Sequence, residues 1–212
     1  MTTQQSAAKS RAYRMGKRAE KQQDTRRRIV EAAVELHGTC GPARTTVSQI
    51  AERAGVQRHT FYAHFPDDRS LYVACSGLTM ERDPLPDFSR LRSLPAGGER
   101  LRAGLHQLYD WYRRNAQLVA CVLRDAEYHA LTRQMVEVRM GPVFREARAV
   151  LGEAVGDQSS ALLDVALDFR CWQRLAETYD PEKASALMSE AVTAVAKEKG
   201  RAHRKRPAQP GC

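Results

Sequence analysis

Long apolar runs are missing from this sequence: the longest, Leu118 to Leu123, has six residues, far short of the roughly 18 that a membrane-spanning helix needs. That argues against a membrane partner. The N-terminus is charged and has no apolar signal segment, so a cytoplasmic chain is expected. Cysteines are few and scattered. Cys40, Cys75, Cys121, Cys171 and Cys212 are odd in number and show no CxxC spacing, which suggests neither a disulfide framework nor a zinc site. The histidines do not cluster at ligand spacing either, so no metal and no cofactor is expected. A hydrolase or transferase would need a nucleophile–base pair or paired carboxylates at readable spacing, and none is found, so the chain does not read as an enzyme. Sustained period-two alternation is absent as well. The fold class is therefore all-α.

What is present is charge, unevenly placed. The formal net charge is +9, yet residues 1–28 alone carry nine Lys/Arg against Glu20 and Asp24, and residues 197–212 carry six against Glu198. The body between these tails is mildly acidic. Basic blocks of this kind are usually solvated, and they also suit a polyanion such as DNA. Residues 1–23 lack an apolar stripe and read as a flexible basic arm; residues 200–212 read as a basic disordered tail.

Between the tails, punctuation divides the chain in two. Asp24 is placed to cap a helix over Thr25–His37, with Ile29, Ala33 and Leu36 on one face. Gly38 and Gly41-Pro42 break it. Thr46-Val47-Ser48-Gln49 matches the S/T-x-x-E/Q capping box, and Val47, Ile50, Ala51 and Ala54 then share a face until Gly55 ends the helix. A third short helix is expected over about Gln57–His64, and a fourth from about Arg69 to Met80. Residues 24–80 thus form an N-terminal three-helix domain with a connecting helix, which is the sole regular link to a larger helical domain over 81–199. In that second domain Leu101, Leu105, Leu108 and Tyr112 form one stripe, and Leu118–Leu123 implies a helix buried all round.

Two short helices joined by a tight Gly-containing turn are a helix-turn-helix, here over residues 46–65. Its second helix enters the major groove N-terminus first and needs polar side chains there. Arg58, His59 and Tyr62 share an arc of about 100° on such a helix, while Phe61 points aside as an anchor. Arg58 has the fork geometry to read a guanine edge, and Thr60 can approach a thymine methyl or a phosphate. Tyr62 and His64 offer hydrogen bonds to phosphate oxygens. Thr46, Val47 and Ser48, at the start of the first helix of the pair, complete the candidate DNA-binding set with Arg69.

The run from Thr25-Arg-Arg-Arg-Ile-Val-Glu-Ala-Ala, followed by Thr45-Thr-Val-Ser-Gln-Ile-Ala-Glu-Arg-Ala-Gly-Val-Gln-Arg-His-Thr-Phe-Tyr-Ala-His-Phe, resembles the TetR family of transcriptional regulators. The resemblance is strong over residues 24–80. It implies a homodimer with N-terminal DNA-binding heads, a helical ligand domain, and a dimer interface from the last two long helices. Asp168-Phe-Arg-Cys-Trp-Gln-Arg-Leu is similar to the dimerising helix of many members. Two positions depart from the family pattern. Asp68 stands where a lysine usually meets phosphate at a helix N-terminus, with Arg69 next door to replace it. His59 stands where a small residue or proline is usual.

The remaining expectations concern the larger domain. Tyr109, Trp111, Tyr112, Tyr128, His129, Met135 and Met140 could line an apolar pocket with a few polar groups. Leu162, Val165, Phe169, Trp172, Ala176 and Tyr179 step by 3-4-3-4-3, and a second stripe runs through Leu163, Leu167, Cys171 and Leu175. Two apolar faces need two partners, which points to dimerisation through Leu162, Val165, Phe169, Trp172 and Ala176. Leu187 and Ala191 of a last helix opened by Pro181 join them. The expected partners are palindromic double-stranded operator DNA, a second copy of the chain, and a small, largely apolar molecule whose binding releases the DNA.

Overall fold

The computed structural model describes the backbone of residues 3–153, 155 and 160–204, and the side chains of 15–153, 155 and 160–195. Its described residues form helices and connections, with no strand. The α-helices are α1 (Thr3–Thr39), α2 (Val47–Arg53), α3 (Arg58–His64), α4 (Asp68–Arg82), α5 (Gly98–Ala126), α6 (Ala130–Arg139), α7 (Gly141–Gly152), α8 (Ser160–Leu167), α9 (Phe169–Leu175) and α10 (Pro181–Arg204).

Helix α1 starts far before the expected cap. Residues 3–23 were expected as a flexible arm because they lack an apolar stripe, but a helix does not need one. This stretch has no proline and abounds in Ala, Gln, Lys and Arg, which lose little rotamer freedom in a helix. Asp24 therefore caps nothing and lies within α1, paired with Arg27 (3.6 Å) and Arg28 (3.3 Å) one turn on. The side chains of Lys9, Arg11 and Arg14 lie outside the described residues. Of the expected basic tail, residues 200–204 continue the α10 backbone and 205–212 lie outside the described residues.

Two apolar cores form. In the first, Ile29 and Ala33 of α1 meet Ile50 and Ala51 of α2, Phe61 and Phe65 around α3, and Leu71 and Cys75 of α4. In the second, α5 runs through the centre: Leu101, Leu105, Leu108 and Tyr112 are buried against α7 (Val150, Leu151), α8 (Leu163, Ala166) and α10 (Ala184, Met188, Val192). The helical stripe read over Leu162–Tyr179 is interrupted at Asp168. Its backbone is extended, and its carboxylate accepts hydrogen bonds from the N–H groups of Arg170 (2.8 Å) and Cys171 (3.0 Å), capping α9.

The connecting helix α4 is not the only bridge between the cores. The C-terminal end of α1 packs on α5, and the junction is pinned by Asp125, whose side chain is fully buried. Its carboxylate accepts from Ala43 N–H (2.9 Å), Tyr128 Oη (2.7 Å) and Arg124 Nε (2.9 Å), while Arg124 Nη2 also donates to Cys40 O (2.7 Å). Gly41, at φ +97°, brings the chain past this pair so closely that a Cβ would run into both Arg124 and Asp125. Burial alone would raise the pKa of Asp125, but the hydrogen bonds from Tyr128, Ala43 and Arg124 outweigh it and hold the carboxyl below the ordinary range.

His37, in the last turn of α1, is 6% exposed at the same junction, with its ring 5.5 Å from that of Tyr72. Burial lowers its pKa to about 4, against a smaller upward pull from Asp125. Because the folded value lies below the unfolded one, the unfolded chain binds the extra proton first. The stability that His37 contributes as a neutral ring is thus present above the unfolded value near 6.5 and is lost as pH falls toward 4. That loss amounts to roughly 3 kcal/mol at most. Urea midpoints taken at steps between pH 7 and pH 4 should therefore fall less steeply for His37→Phe than for the parent chain. Parallel curves would show that His37 is as easily protonated folded as unfolded.

Candidate nucleic-acid interface and ligand cavity

Local sequence builds the helix-turn-helix. Thr46 accepts from Gln49 N–H (3.3 Å) and Gln49 Oε1 accepts from Thr46 N–H (2.8 Å), so the capping box is closed. At the other end of α2, Val56 N–H reaches Ala51 O (2.9 Å) and Gly55 N–H reaches Glu52 O (3.0 Å), with Gly55 at φ +64°. This is a Schellman turn, which glycine adopts without the strain a Cβ would bring. Arg28 of α1 donates to Ala54 O (2.8 Å) and fixes the turn against the first helix. Phe61 and Phe65 then seat α3 in the core, and Arg26 lies 4.8 Å over the Phe65 ring.

The opposite side of α3 is polar and uncommitted. Arg58, His59 and Tyr62 are exposed, and Thr60 and His64 are half-buried. Among the described residues, none of these five side chains makes a hydrogen bond or an ion pair. The α2 set divides differently. Ser48 is exposed and has no hydrogen bond among the described residues, Val47 is half in the core, and the Thr46 hydroxyl is spent on Gln49 as cap. Arg69, expected at phosphate, donates instead to Gln134 Oε1 of α6 (2.8 Å). Asp67 caps α4 by accepting from Ser70 N–H (2.7 Å), and Asp68 sits in its first turn. Two carboxylates there answer the positive end of the helix, so it does not invite a phosphate.

A cavity of about 100 Å³ lies at the junction, walled by α1, α4, α5 and α6. Of the expected pocket residues, Trp111, Met135 and Met140 line it. Tyr109 and Tyr112 do not. They are buried on the other side of α5, where their hydroxyls donate to Ala166 O (2.8 Å) and Leu167 O (2.7 Å) and hold α8 in place. Tyr128 is mostly exposed, and its hydroxyl serves Asp125. His129 caps α6, its Nδ1 accepting from Thr132 N–H (3.3 Å). Most of the lining was not anticipated, and it includes the polar side chains of His37, Tyr72, Asn115 and Arg139. His37 follows Ala33 by one helical turn and so falls on the apolar stripe of α1, a placement that could have marked it as buried.

The expected dimer stripe also separates. Phe169 and Trp172 are buried within the protomer, packed on Tyr112 at ring distances of 5.1 and 5.5 Å. They are core residues and leave no apolar surface to a partner. Val165 and Leu187 are large apolar side chains 48% and 43% exposed. Ala176 and Ala191 are exposed, and Leu162 is half-buried.

Residues 29–75 match the family of bacterial regulatory proteins described as the tetR family. Over 55 residues the chain is 46% identical to the HTH-type transcriptional regulator TtgR of Pseudomonas putida, a stretch that covers 26% of either chain. The chain thus spans about a quarter of that relative's length. Two solved structures share the fold across most of the chain. HlyIIR, a hemolysin II transcriptional regulator, superposes with a TM-score of 0.59 at 17% identity, over 82% of this chain and 98% of the other. FadR from Bacillus subtilis, solved in complex with stearoyl-CoA, gives 0.56 at 18% identity, over 79% and 97%. The capped α2, the Schellman turn and the seated α3 all lie inside residues 29–75, the stretch that matches the tetR family of bacterial regulatory proteins, and the fold across most of the chain is that of the two solved regulators.

Proposed function

We propose that the chain is a homodimeric repressor that binds a palindromic operator through α3 and releases it when a small, largely apolar molecule enters the junction cavity. The observation that carries the reading is the row of uncommitted polar side chains on α3, held on a helix whose other side is locked into the core. Arg58 is the base reader, Thr60 and His59 flank it, and Tyr62, His64 and Ser48 meet phosphate. Release follows from where the cavity lies. It touches α1 and α4, both of which also build the head core. A ligand that shifts either helix changes the spacing of two heads set on a stiff duplex. Coupling on the order of 1–3 kcal/mol is ordinary for such a switch. Selection of binding sites from random DNA, followed by gel-shift titration on the selected operator, tests the reading directly. Binding that random competitor DNA removes as readily as operator would favour a sequence-independent architectural role, to which the exposed basic residues of α1 are also suited.

Arg58→Ala should lower operator affinity by roughly 1–3 kcal/mol and relax preference at one base pair in each half-site. Tyr62→Phe should instead weaken binding about equally on all sequences, since a phosphate contact carries no code. Titrations on a panel of single-base operator variants separate the two behaviours, and the reverse pattern would reverse the roles.

Removing residues 1–21 should reduce the salt dependence of binding, by a log–log slope of about 0.9 for each phosphate that those residues neutralise in the intact complex. An unchanged slope would take the N-terminal part of α1 out of the DNA complex.

The dimer surface is assigned to Val165, Leu187, Ala176 and Ala191 together with Leu162, which places α8 and α10 at the two-fold. Replacing both Val165 and Leu187 with aspartate should give a folded monomer by light scattering that no longer shifts operator. A double variant that stays dimeric would move the interface elsewhere.

A further inference from the structure

The junction cavity has one feature that the fold itself does not use. His37 lines it and is 94% buried by its 6% exposure, yet among the described residues neither ring nitrogen has a hydrogen-bond partner; its one ring contact there is with Tyr72. A buried polar group left unpaired is a loss that a ligand can recover. Other polar groups of the wall are occupied. Thr79 Oγ1 donates to Cys75 O (3.0 Å), Ser76 Oγ accepts from Arg139 Nε (3.0 Å), and Thr132 Oγ1 pairs with His129 Nδ1 (2.8 Å). Much of the remaining lining is aliphatic or aromatic, with Leu118, Val119, Met135 and Trp111 among it.

We propose, building on the ligand-responsive reading above, that this cavity takes a small, uncharged, mostly apolar molecule of about one ring, bearing a hydroxyl that hydrogen-bonds His37. Size follows from the volume. About 100 Å³ is of the order of the roughly 150 Å³ apolar cavity that accepts benzene. The absence of charge follows from the surroundings. An anion beside His37 would lie in the field of the buried Asp125, which already acts on that ring from behind the wall, and a cation would meet the Arg139 guanidinium in the wall. Either ion would also lose its hydration in an apolar space. A hydroxyl fits because neutral imidazole presents one donor and one acceptor, and a hydroxyl can serve as either. His37 stays neutral across the physiological range, since burial holds its pKa at about 4. The bound hydroxyl would then sit on α1 itself, two turns after Ile29 of the head core, so that occupancy is felt in the DNA-binding helices directly rather than through α4 alone.

The test uses the full chain without DNA and three single-ring probes: phenol, toluene and benzoate, titrated by calorimetry. Phenol and toluene should bind the parent chain, and benzoate should not. His37→Phe should weaken phenol about tenfold and leave toluene within twofold, whereas His37→Gln, which keeps a hydrogen-bonding group, should retain most of the phenol affinity. Met135→Trp, which fills the cavity, should abolish both. Circular dichroism and a thermal melt confirm that each variant is folded. The proposal is overturned if phenol binding ignores His37→Phe, if phenol and toluene weaken together, if benzoate binds as tightly as phenol, or if phenol still binds the filled variant. Binding is read here without operator, so failure of this site and failure of the repressor reading register in separate experiments.

Discussion

A single buried carboxylate holds the two cores in register. Asp125 sits at zero exposure between the end of α5 and the turn that follows α1, accepting from a backbone N–H, a tyrosine hydroxyl and a guanidinium. An ion in such a place is tolerable only while those partners are present. Taking one away from a buried pair typically costs about 3–5 kcal/mol, because the remaining charge stays desolvated. The left-handed Gly41 is a consequence, since no side chain fits where the turn passes the Arg124–Asp125 pair. The setting of His37 is another. With the end of α1 pinned to α5, His37 is turned inward against Tyr72, and an apolar space remains between the helices.

Around that pin, further ties between head and body are polar. Arg139 donates to Ser76 Oγ (3.0 Å) and Val73 O (3.2 Å) of α4, and Arg69 donates to Gln134 Oε1 (2.8 Å) of α6. Exposed or half-exposed hydrogen bonds of this kind are individually weak, on the order of 1 kcal/mol, and can exchange for water. A junction of one strong pin and several weak ties suits a hinge. Arg69 is one of these ties, since its guanidinium is engaged with Gln134 of the body.

The exposed surface of α8 and α9 is smaller in aromatic content than their apolar stripe implies. Tyr112 gathers Phe169 and Trp172 into a ring cluster beneath it, so these large side chains serve the protomer's own core. The large apolar side chains that face outward are aliphatic, Val165 and Leu187, among exposed polar residues such as Asp164 and Arg170. Small side chains let two helices approach closely, and complementarity of shape then matters more than the area of any one residue.

Features governed by a few consecutive residues were legible in the sequence. The Thr46–Gln49 box, the Gly55 turn, the Leu101–Tyr112 stripe and the all-helical class all rest on interactions spanning one or two helical turns, so the residues that decide them are neighbours in the chain. The same holds for the polar arc of α3, and it is why the head could be recognised from its motif. The continuation of α1 before Asp24 was not legible, because periodicity reports burial and says nothing of a solvated helix. The rest depended on partners far away in sequence. Asp125 meets Ala43 across 82 positions and Arg69 meets Gln134 across 65. An apolar stripe states that Phe169 and Trp172 must be covered, but not by what; only the placement of α5 against α9 makes the cover internal. His37 is the clearest case. Its position on the stripe of α1 gives burial, and it took the docking of α1 on α5 to leave it, among the described residues, an unpaired polar group in the wall of a cavity.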